Sequence, residues 1–239
     1  MTPSIEPRFI HRFVPATQPD IGITLLLLHG TGGNENDLLP LGRELLPGAA
    51  LLSLRGRVLE NGMPRFFRRF AEGVFDVEDL KFQTQELNDF LKAAAQPYGL
   101  APAHRASGAS GARPQNDSRL VAVGYSNGAN IAASLLLLHP HALAGAVLFR
   151  AMVPFTPDFE PNLGHTAGFL SGGIQDPIVP RENTEGLATM LTSFGADIEL
   201  HWHPGGHELG QDDLTAAKQW LSRKLTALAE RQTSRIASG

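Results

Sequence analysis

A serine flanked by glycines is the most informative motif in this sequence. Ser126 stands at the centre of Gly-Tyr-Ser-Asn-Gly, between the apolar run 120–123 and a helical stretch that begins at Asn127. In a strand–turn–helix of this kind, glycines two positions either side allow a tight turn that exposes the serine hydroxyl. The helix N-terminus supplies backbone N–H groups where an oxyanion would form. The pattern predicts that Ser126 is a nucleophile, and the alternative is a turn that only connects strand to helix.

Two later residues have the chemistry to activate this serine. A serine hydroxyl needs a base, and the base needs an orienting carboxylate. Asp176 follows the predicted strand 167–171, and His207 follows the predicted strand 198–202 just before the last helix. Catalytic groups of parallel sheets gather at the carboxyl ends of the strands. We therefore predict Asp176 as the acid and His207 as the base.

Other assignments of these residue types are open at this point. Asp158, in the proline-rich loop 154–161, is an alternative acid. His201, His203 and His207 form an H-x-H-x3-H pattern that could bind a metal ion, although no paired carboxylate completes a typical site. The prediction for metal ions is that none is bound.

Two backbone amides are candidates for stabilising an oxyanion. One is the N–H of Asn127, the residue after the serine. The other is the N–H of Thr31 in the glycine-rich turn that follows strand 24–28. The same glycines do not form a phosphate-binding loop, because no Lys-Ser/Thr pair follows them, nor a dinucleotide site, because their spacing is not G-x-G-x-x-G. His29, beside this turn, is interpreted as a structural residue.

The candidate catalytic residues all follow apolar runs, and these runs alternate along the chain with amphipathic stretches. Runs that are apolar on successive residues are typical of strands buried on both faces of a parallel sheet. Strand–helix alternation predicts a doubly wound α/β fold with a mostly parallel central sheet, helices on both faces and one domain over residues 1–239. The predicted strands are 24–28, 49–54, 120–123, 144–148, 167–171 and 198–202, and the predicted helices are 37–46, 77–95, 127–139, 181–194 and 212–229.

Three segments depart from this alternation. Residues 101–117 are rich in Ala, Ser, Gly and Pro and predict a flexible surface loop, and residues 231–239 predict a disordered tail. In residues 61–70, NGMPRFFRRF, arginines alternate with phenylalanines. Two interpretations of this segment are open. It forms a pocket wall or an anion-binding edge, or it is a loop whose aromatic side chains pack inward while its arginines stay solvated.

Composition excludes several classes of function. The 239 residues contain no cysteine, which excludes disulfides, zinc–thiolate sites, iron–sulfur clusters and a cysteine nucleophile. A net charge of −4 gives no basic surface for nucleic acid or an anionic membrane. No apolar run approaches the roughly 20 residues of a membrane span, and the first twenty residues contain no secretory signal. We expect a cytoplasmic protein.

Four ordered motifs resemble those of a known family. LLHGTGGNENDL, GYSNGANIA, SGGIQDPIVP and GGHELG are similar to the bacterial carboxylesterase/phospholipase branch of the α/β-hydrolases, which is related to acyl-protein thioesterases. The resemblance extends from about Thr24 to Leu221. It implies an α/β-hydrolase fold without a large lid, no cofactor, and a homodimer. The loop at 101–117 is longer than the family pattern.

The resemblance also implies roles for individual residues. It makes Ser126, Asp176 and His207 the nucleophile, acid and base, and gives the oxyanion amides to Thr31 and Asn127. It places Met152, in the segment 150–154, beside the acyl pocket, and Phe66, in the segment 62–70, in another wall of the site.

The expected function is that of a serine carboxylesterase that hydrolyses small carboxylic esters through an acyl-enzyme. A thioesterase, lysophospholipase or C–C hydrolase on the same fold is an alternative, and a non-catalytic binding protein is a third. No long helical insertion separates Ser126 from Asp176, which favours compact substrates.

Overall fold

The apolar runs of the sequence form the strands of one central sheet. The structure, a computed structural model, describes residues 9–100 and 120–236, with side chains up to Lys224. Its strands are β1 (His11–Val14), β2 (Thr24–Leu28), β3 (Ala50–Leu54), β4 (Val58–Glu60), β5 (Met63–Arg65), β6 (Arg69–Ala71), β7 (Val74–Phe75), β8 (Leu120–Tyr125), β9 (Gly145–Phe149), β10 (Ala167–Gly173) and β11 (Asp197–His203). Its α-helices are α1 (Leu39–Leu45), α2 (Val77–Ala95), α3 (Asn127–Leu138), α4 (Arg181–Ser193) and α5 (Gln211–Ile236).

The seven-stranded sheet has the order β1-β3-β2-β8-β9-β10-β11. All neighbouring strands are parallel except β1, which pairs antiparallel with β3 at one edge. The carboxyl ends of β2, β8, β10 and β11 therefore lie along one edge of the sheet, where the residues that follow them can meet.

Helices cover both faces of the sheet. Alternate residues of β2 enter different cores: Leu26 packs in the cluster that includes helices α2, α3 and α4, whereas Leu27 packs in the cluster that includes α1 and α5. This period of two is what a strand buried on both faces requires. The predicted α/β-hydrolase fold is confirmed, and residues 9–100 and 120–236 form no large lid over the sheet.

Some boundaries differ from the predicted ones. The sequence analysis predicts neither strand β1 nor the hairpins β4–β5 and β6–β7, which lie in and around the segment 61–70, a pocket wall or a loop in the two interpretations offered for it. Helix α5 continues to Ile236, through residues 231–236 of the predicted tail, because nothing after residue 229 breaks a helix before Gly239. The predicted loop at 101–117 and residues 237–239 lie outside the described residues. No helix among the described residues is long and apolar enough to cross a membrane.

Candidate active site

Ser126 lies in a strained turn between β8 and α3. Its φ of 52° and ψ of −113° belong to a region that non-glycine residues rarely adopt. Two backbone hydrogen bonds hold this conformation: the Ser126 N–H donates to the Phe149 carbonyl at 2.9 Å, and the Ser126 carbonyl accepts from the Asn130 N–H at 3.0 Å. The predicted strand–turn–helix is therefore present.

The glycines around Ser126 are required by backbone contacts. A Cβ atom at Gly128 would lie 2.0 Å from the carbonyl oxygen of Leu28 on the neighbouring strand. A Cβ atom at Gly124 would lie 2.6 Å from the Cα of Ala129 in the helix. Because both obstacles are backbone atoms, no side-chain movement could relieve them.

The three predicted reactive side chains form one chain of hydrogen bonds. The Nε2 atom of His207 lies 3.0 Å from the Oγ of Ser126, and its Nδ1 atom lies 2.8 Å from Oδ2 of Asp176. A carboxylate only accepts hydrogen bonds, so Nδ1 must carry the proton and Nε2 is left as the acceptor for the serine hydroxyl. This is the tautomer in which a histidine can act as a base toward serine.

Both carboxylate oxygens of Asp176 accept hydrogen bonds that fix its side chain. Its side chain is fully buried, Oδ2 faces His207, and Oδ1 accepts from the backbone N–H groups of Ile178 and Val179 at 2.8 and 3.0 Å. The two amide donors stabilise the charged carboxylate and fix its rotation. The proline-containing loop after β10 thus presents a carboxylate that cannot turn away from His207.

The loops that carry the acid and the base run side by side. The N–H of Ile174 donates to the His203 carbonyl, and the N–H of Gln175 donates to the Gly205 carbonyl, at 2.8 and 3.0 Å. The hydroxyl of Tyr125 also donates to the carbonyl of His207 at 3.1 Å. The first two bonds continue the pairing of β10 with β11 beyond the sheet, and the third ties the end of β8 to the His207 loop.

The two amides predicted to stabilise an oxyanion are available. Among the described residues, no acceptor receives the backbone N–H of Thr31 or of Asn127. The side-chain oxygen of Asn127 accepts from the Phe66 N–H at 2.7 Å, which ties the start of α3 to the β5–β6 segment.

The alternative assignments do not fit the geometry. The side chain of Asp158 is 94% exposed and lies 3.8 Å from Lys81, whereas the carboxylate bonded to His207 is that of Asp176. The metal interpretation fails because His207 is bonded to Ser126 and Asp176 instead of joining His201 and His203. His203 does lie near Asp212 and Asp213. However, the Asp213 carboxylate is paired with Arg150 and the Asp212 carboxylate with His203. Both negative charges therefore already have a partner within the protein.

Known proteins share this arrangement of elements. A family model described as phospholipase/carboxylesterase matches residues 12–225. The chain belongs to the phospholipase/carboxylesterase family. The matched residues 12–225 extend at both ends beyond the stretch from Thr24 to Leu221 over which the motifs resemble this family.

Members of the phospholipase/carboxylesterase family and related structures align along most of the chain. The putative hydrolase MhqD of Bacillus subtilis (strain 168) is 46% identical over 201 residues, which are 84% of this chain and 93% of MhqD. The crystal structure of the Bacillus cereus carboxylesterase superposes with a TM-score of 0.81 at 44% identity and covers 91% of this chain and 95% of its own. A carboxylesterase from Mesorhizobium loti gives a TM-score of 0.74 at 30% identity, covering 90% and 94%.

The two residues that the phospholipase/carboxylesterase resemblance places in the pocket walls are both buried. Met152 is 8% exposed, and its N–H donates to the side-chain oxygen of Asn130 at 2.7 Å. Phe66 is 1% exposed and packs its ring 4.9 Å from that of His29. Their contact with substrate stays a prediction, since Phe66 in particular is part of the core in this state.

The segment 61–70 fits neither interpretation completely, because its arginines do not all stay solvated: Arg65 is only 3% exposed. Phe66 and Phe67 pack inward while Phe70 is 76% exposed. Its arginines are all paired with carboxylates: Arg65 and Arg69 with Glu60, and Arg68 with Asp76 and Asp79. These ion pairs disfavour the anion-binding interpretation, because each charge already has a partner.

Sequence analysis missed two contacts that support the site. Arg65, only 3% exposed, donates from Nη1 to the Thr31 hydroxyl at 2.8 Å and so holds the turn whose amide is predicted to bind an oxyanion. Asn130, which holds Met152, lies four residues after Ser126 and hence one helical turn along α3. That spacing is a signal in the sequence; the partner of Arg65 could be found only from the structure.

His29 is a buried neutral histidine beside the oxyanion turn. Its Nδ1 lies 2.6 Å from the Gly30 carbonyl and must donate, whereas Nε2 accepts from the Gly56 N–H at 3.0 Å. Burial lowers the pKa of His29 below its ordinary value of 6.5, and the bond to Gly30 only partly opposes this. The structural role predicted for His29 agrees with these contacts.

The lowered pKa of His29 predicts a pH-dependent contribution to stability. Below pH 6.5 the unfolded chain binds a proton at this residue that the folded chain does not, so the contribution is complete above pH 6.5 and falls as the pH drops toward the folded pKa. The gap in unfolding free energy between the wild type and His29→Asn should therefore shrink between pH 7.5 and 5.5, by at most about 1.4 kcal/mol per pH unit below 6.5. Urea unfolding at both pH values measures it. The exposed His141, changed to Asn, is the control; an equal gap at both pH values for His29→Asn would contradict the assignment.

Proposed function

We propose that this chain is a serine carboxylesterase that hydrolyses small carboxylic esters through an acyl-enzyme intermediate. The observation that carries the proposal is the unbroken chain of hydrogen bonds from Asp176 through His207 to the Oγ of Ser126. The phospholipase/carboxylesterase family and the name of the Bacillus cereus relative support the same class of reaction.

In the first half of the reaction Ser126 Oγ attacks the ester carbonyl carbon while His207 Nε2 takes the hydroxyl proton. The imidazolium that forms is stabilised by the buried Asp176 carboxylate. The negative charge on the carbonyl oxygen meets the N–H groups of Thr31 and Asn127, an interaction for which each donor is worth about 100- to 1,000-fold in rate. His207 then gives its proton to the leaving alcohol oxygen as the carbon–oxygen bond breaks.

The second half repeats these steps with water. His207 takes a proton from a water molecule, whose oxygen attacks the acyl carbon and forms a second tetrahedral intermediate on the same two amides. The acid is released as Ser126 Oγ recovers its proton from His207. The side chains named here account for every proton that moves, and the scheme uses no cofactor.

Small esters are favoured because the segment between Ser126 and Asp176 forms no cover. It contains α3, β9 and β10, which belong to the helical layer and the sheet, and a connection over residues 150–166 without a helix. In this part of the chain, the long acyl chain of a lipid would find no helical lid to enclose it.

Labelling with a fluorophosphonate tests the proposed nucleophile directly. One phosphonyl group should attach to each folded chain, on the peptide that contains Ser126, because only a serine with a bonded base reacts rapidly. Digestion and mass spectrometry locate the label. Ser126→Ala should remove it and Ser193→Ala, a change at an exposed serine, should not. A folded wild-type chain that stays unlabelled would contradict the proposal.

A further inference from the structure

Arg150 is a fully buried arginine that the reaction scheme does not use. It directly follows β9, and its side chain has no exposed surface. Its backbone has a φ of 57°, which non-glycine residues rarely adopt, and its N–H donates to the Ser171 carbonyl at 2.8 Å. Like Ser126 at the end of β8, Arg150 is thus fixed in an unusual conformation at the end of its strand.

The guanidinium group holds the backbone on both sides of His207. Its Nε donates to the Gly206 carbonyl at 3.1 Å, and its Nη2 donates to the Glu208 carbonyl at 2.7 Å. These are the residues immediately before and after the proposed base. A rigid planar fork that binds both carbonyls fixes the position of the peptide units between them.

The rest of the guanidinium is anchored to other elements. Nη1 and Nη2 donate to the two carboxylate oxygens of Asp213 in α5 at 3.0 and 2.7 Å, and Nη1 also donates to the hydroxyl of Ser171 in β10 at 3.0 Å. Arg150 therefore joins the end of β9, strand β10, the loop of His207 and helix α5. All three nitrogens of the group are engaged.

Asp213 is itself fixed and charged. Burial opposes its ionisation, but hydrogen bonds from Arg150, from the Gly210 N–H and from the Ser171 hydroxyl together lower the pKa of Asp213 below its ordinary value. The pair with Arg150 is thus an ion pair at neutral pH, and neither partner is free to move.

A buried ion pair is a poor source of stability, because desolvation offsets most of its attraction and apolar residues of similar size often serve as well. Its contacts with the His207 loop suggest another use. We propose that Arg150, anchored by Asp213, is a positioning residue that holds His207 Nε2 at bonding distance from Ser126 Oγ. The proposal rests on the proposed function, in which His207 is the base.

Two substitutions separate positioning from folding. Arg150→Lys keeps a positive charge beside Asp213 but offers its three donors from one atom, so it cannot serve both carbonyls and the carboxylate in the same geometry. The double variant Arg150→Met/Asp213→Leu removes the whole ion pair and leaves no unpaired buried charge.

Both variants should lose kcat toward p-nitrophenyl acetate, on the order of 100-fold, with KM little changed, because a displacement of about 1 Å in a reacting group costs that much. The low-field ¹H NMR resonance of the His207 Nδ1–H, bonded to Asp176, should shift or broaden. Urea unfolding shows that each variant is folded under the assay conditions. If the double variant does not fold, Arg150→Lys decides alone.

Phe90→Ala is the matched control for lost stability. It removes a buried ring that packs against Phe9 and His11 near the opposite edge of the sheet, so it should lower the unfolding free energy but leave kcat and the resonance unchanged. A folded Arg150→Lys variant with wild-type kcat and resonance would overturn the proposal. So would an equal loss of kcat in Phe90→Ala. Failure of the proposed function would appear earlier, as a wild-type chain whose Ser126 does not react with a fluorophosphonate.

Discussion

Ser126→Ala should lower kcat for hydrolysis of p-nitrophenyl acetate on the order of 10⁶-fold, the size found when the serine of another serine hydrolase is removed. The change deletes the hydroxyl oxygen that we propose forms the acyl-enzyme. A residual rate is expected because the amides of Thr31 and Asn127 still bind the oxyanion of a water-driven reaction. Steady-state kinetics with and without the substitution measure the effect.

The fold should tolerate this substitution. Among the described residues, the Oγ of Ser126 is bonded only to His207, and the strained backbone is held by main-chain bonds that alanine keeps. The urea midpoint should therefore stay close to that of the wild type, and unchanged turnover by a folded Ser126→Ala variant would refute the assignment.

In the assay with p-nitrophenyl esters, the activity of the wild type should fall as the acyl group lengthens from acetyl to octanoyl if small substrates are preferred.

The second large effect is expected for Asp176→Asn, which should lower kcat about 10⁴-fold. The N–H groups of Ile178 and Val179 both point at Oδ1, so an asparagine must place its oxygen there and its NH₂ group toward His207. That NH₂ donates to Nδ1 and forces the imidazole proton onto Nε2. His207 then presents a donor to Ser126 and can no longer remove its proton.

The tautomer argument makes this substitution more informative than a deletion. Asn nearly matches Asp in shape, so the hydrogen-bond geometry around His207 should persist while the rate falls. Asp158→Asn is the matched control: the sequence allowed Asp158 as an alternative acid, but its carboxylate is 94% exposed and faces Lys81 while His207 is bonded to Asp176, so the kcat of this variant should not change. Equal losses in the two variants would contradict the assignment of Asp176.

The elements that position the site were the easiest to predict. Residues of β2, β8 and β10 are apolar in unbroken runs because both faces are covered, so period and length point to parallel strands. Strand β1 has no such signal: His11–Val14 is a half-exposed edge segment with two polar residues, and it becomes a strand only because β3 offers a free edge. The same holds for the two- and three-residue strands of 58–75, whose pairing depends on turns rather than on an apolar pattern.

The residues of the candidate site also differ in how far the sequence predicts them, according to whether a strand end or a long-range contact positions them. Ser126, Asp176 and His207 were predictable because each follows a strand whose direction is fixed by the sheet. In the sequence, Arg150 is marked only by its place in the segment 150–154 with Met152, and its pairing with Asp213, 63 residues later, depends on how α5 packs beside β10. A contact of that kind has no local signature, since nothing in either residue's surroundings specifies the other.

The order in which the strands occur along the chain has a consequence for the nascent protein. The turn that carries Ser126 is held by contacts with Asn130 and Phe149, whereas His207 lies 81 residues after Ser126, beyond the edge strand β11. At about 5–20 residues per second, the ribosome needs about 4–16 s to make that stretch. During this interval Ser126 is an ordinary alcohol with no base beside it. In the proposed mechanism, Ser126 becomes reactive only after the loop that follows the last strand has been made. An unfinished chain that lacks His207 therefore cannot form an acyl-enzyme that it is unable to hydrolyse.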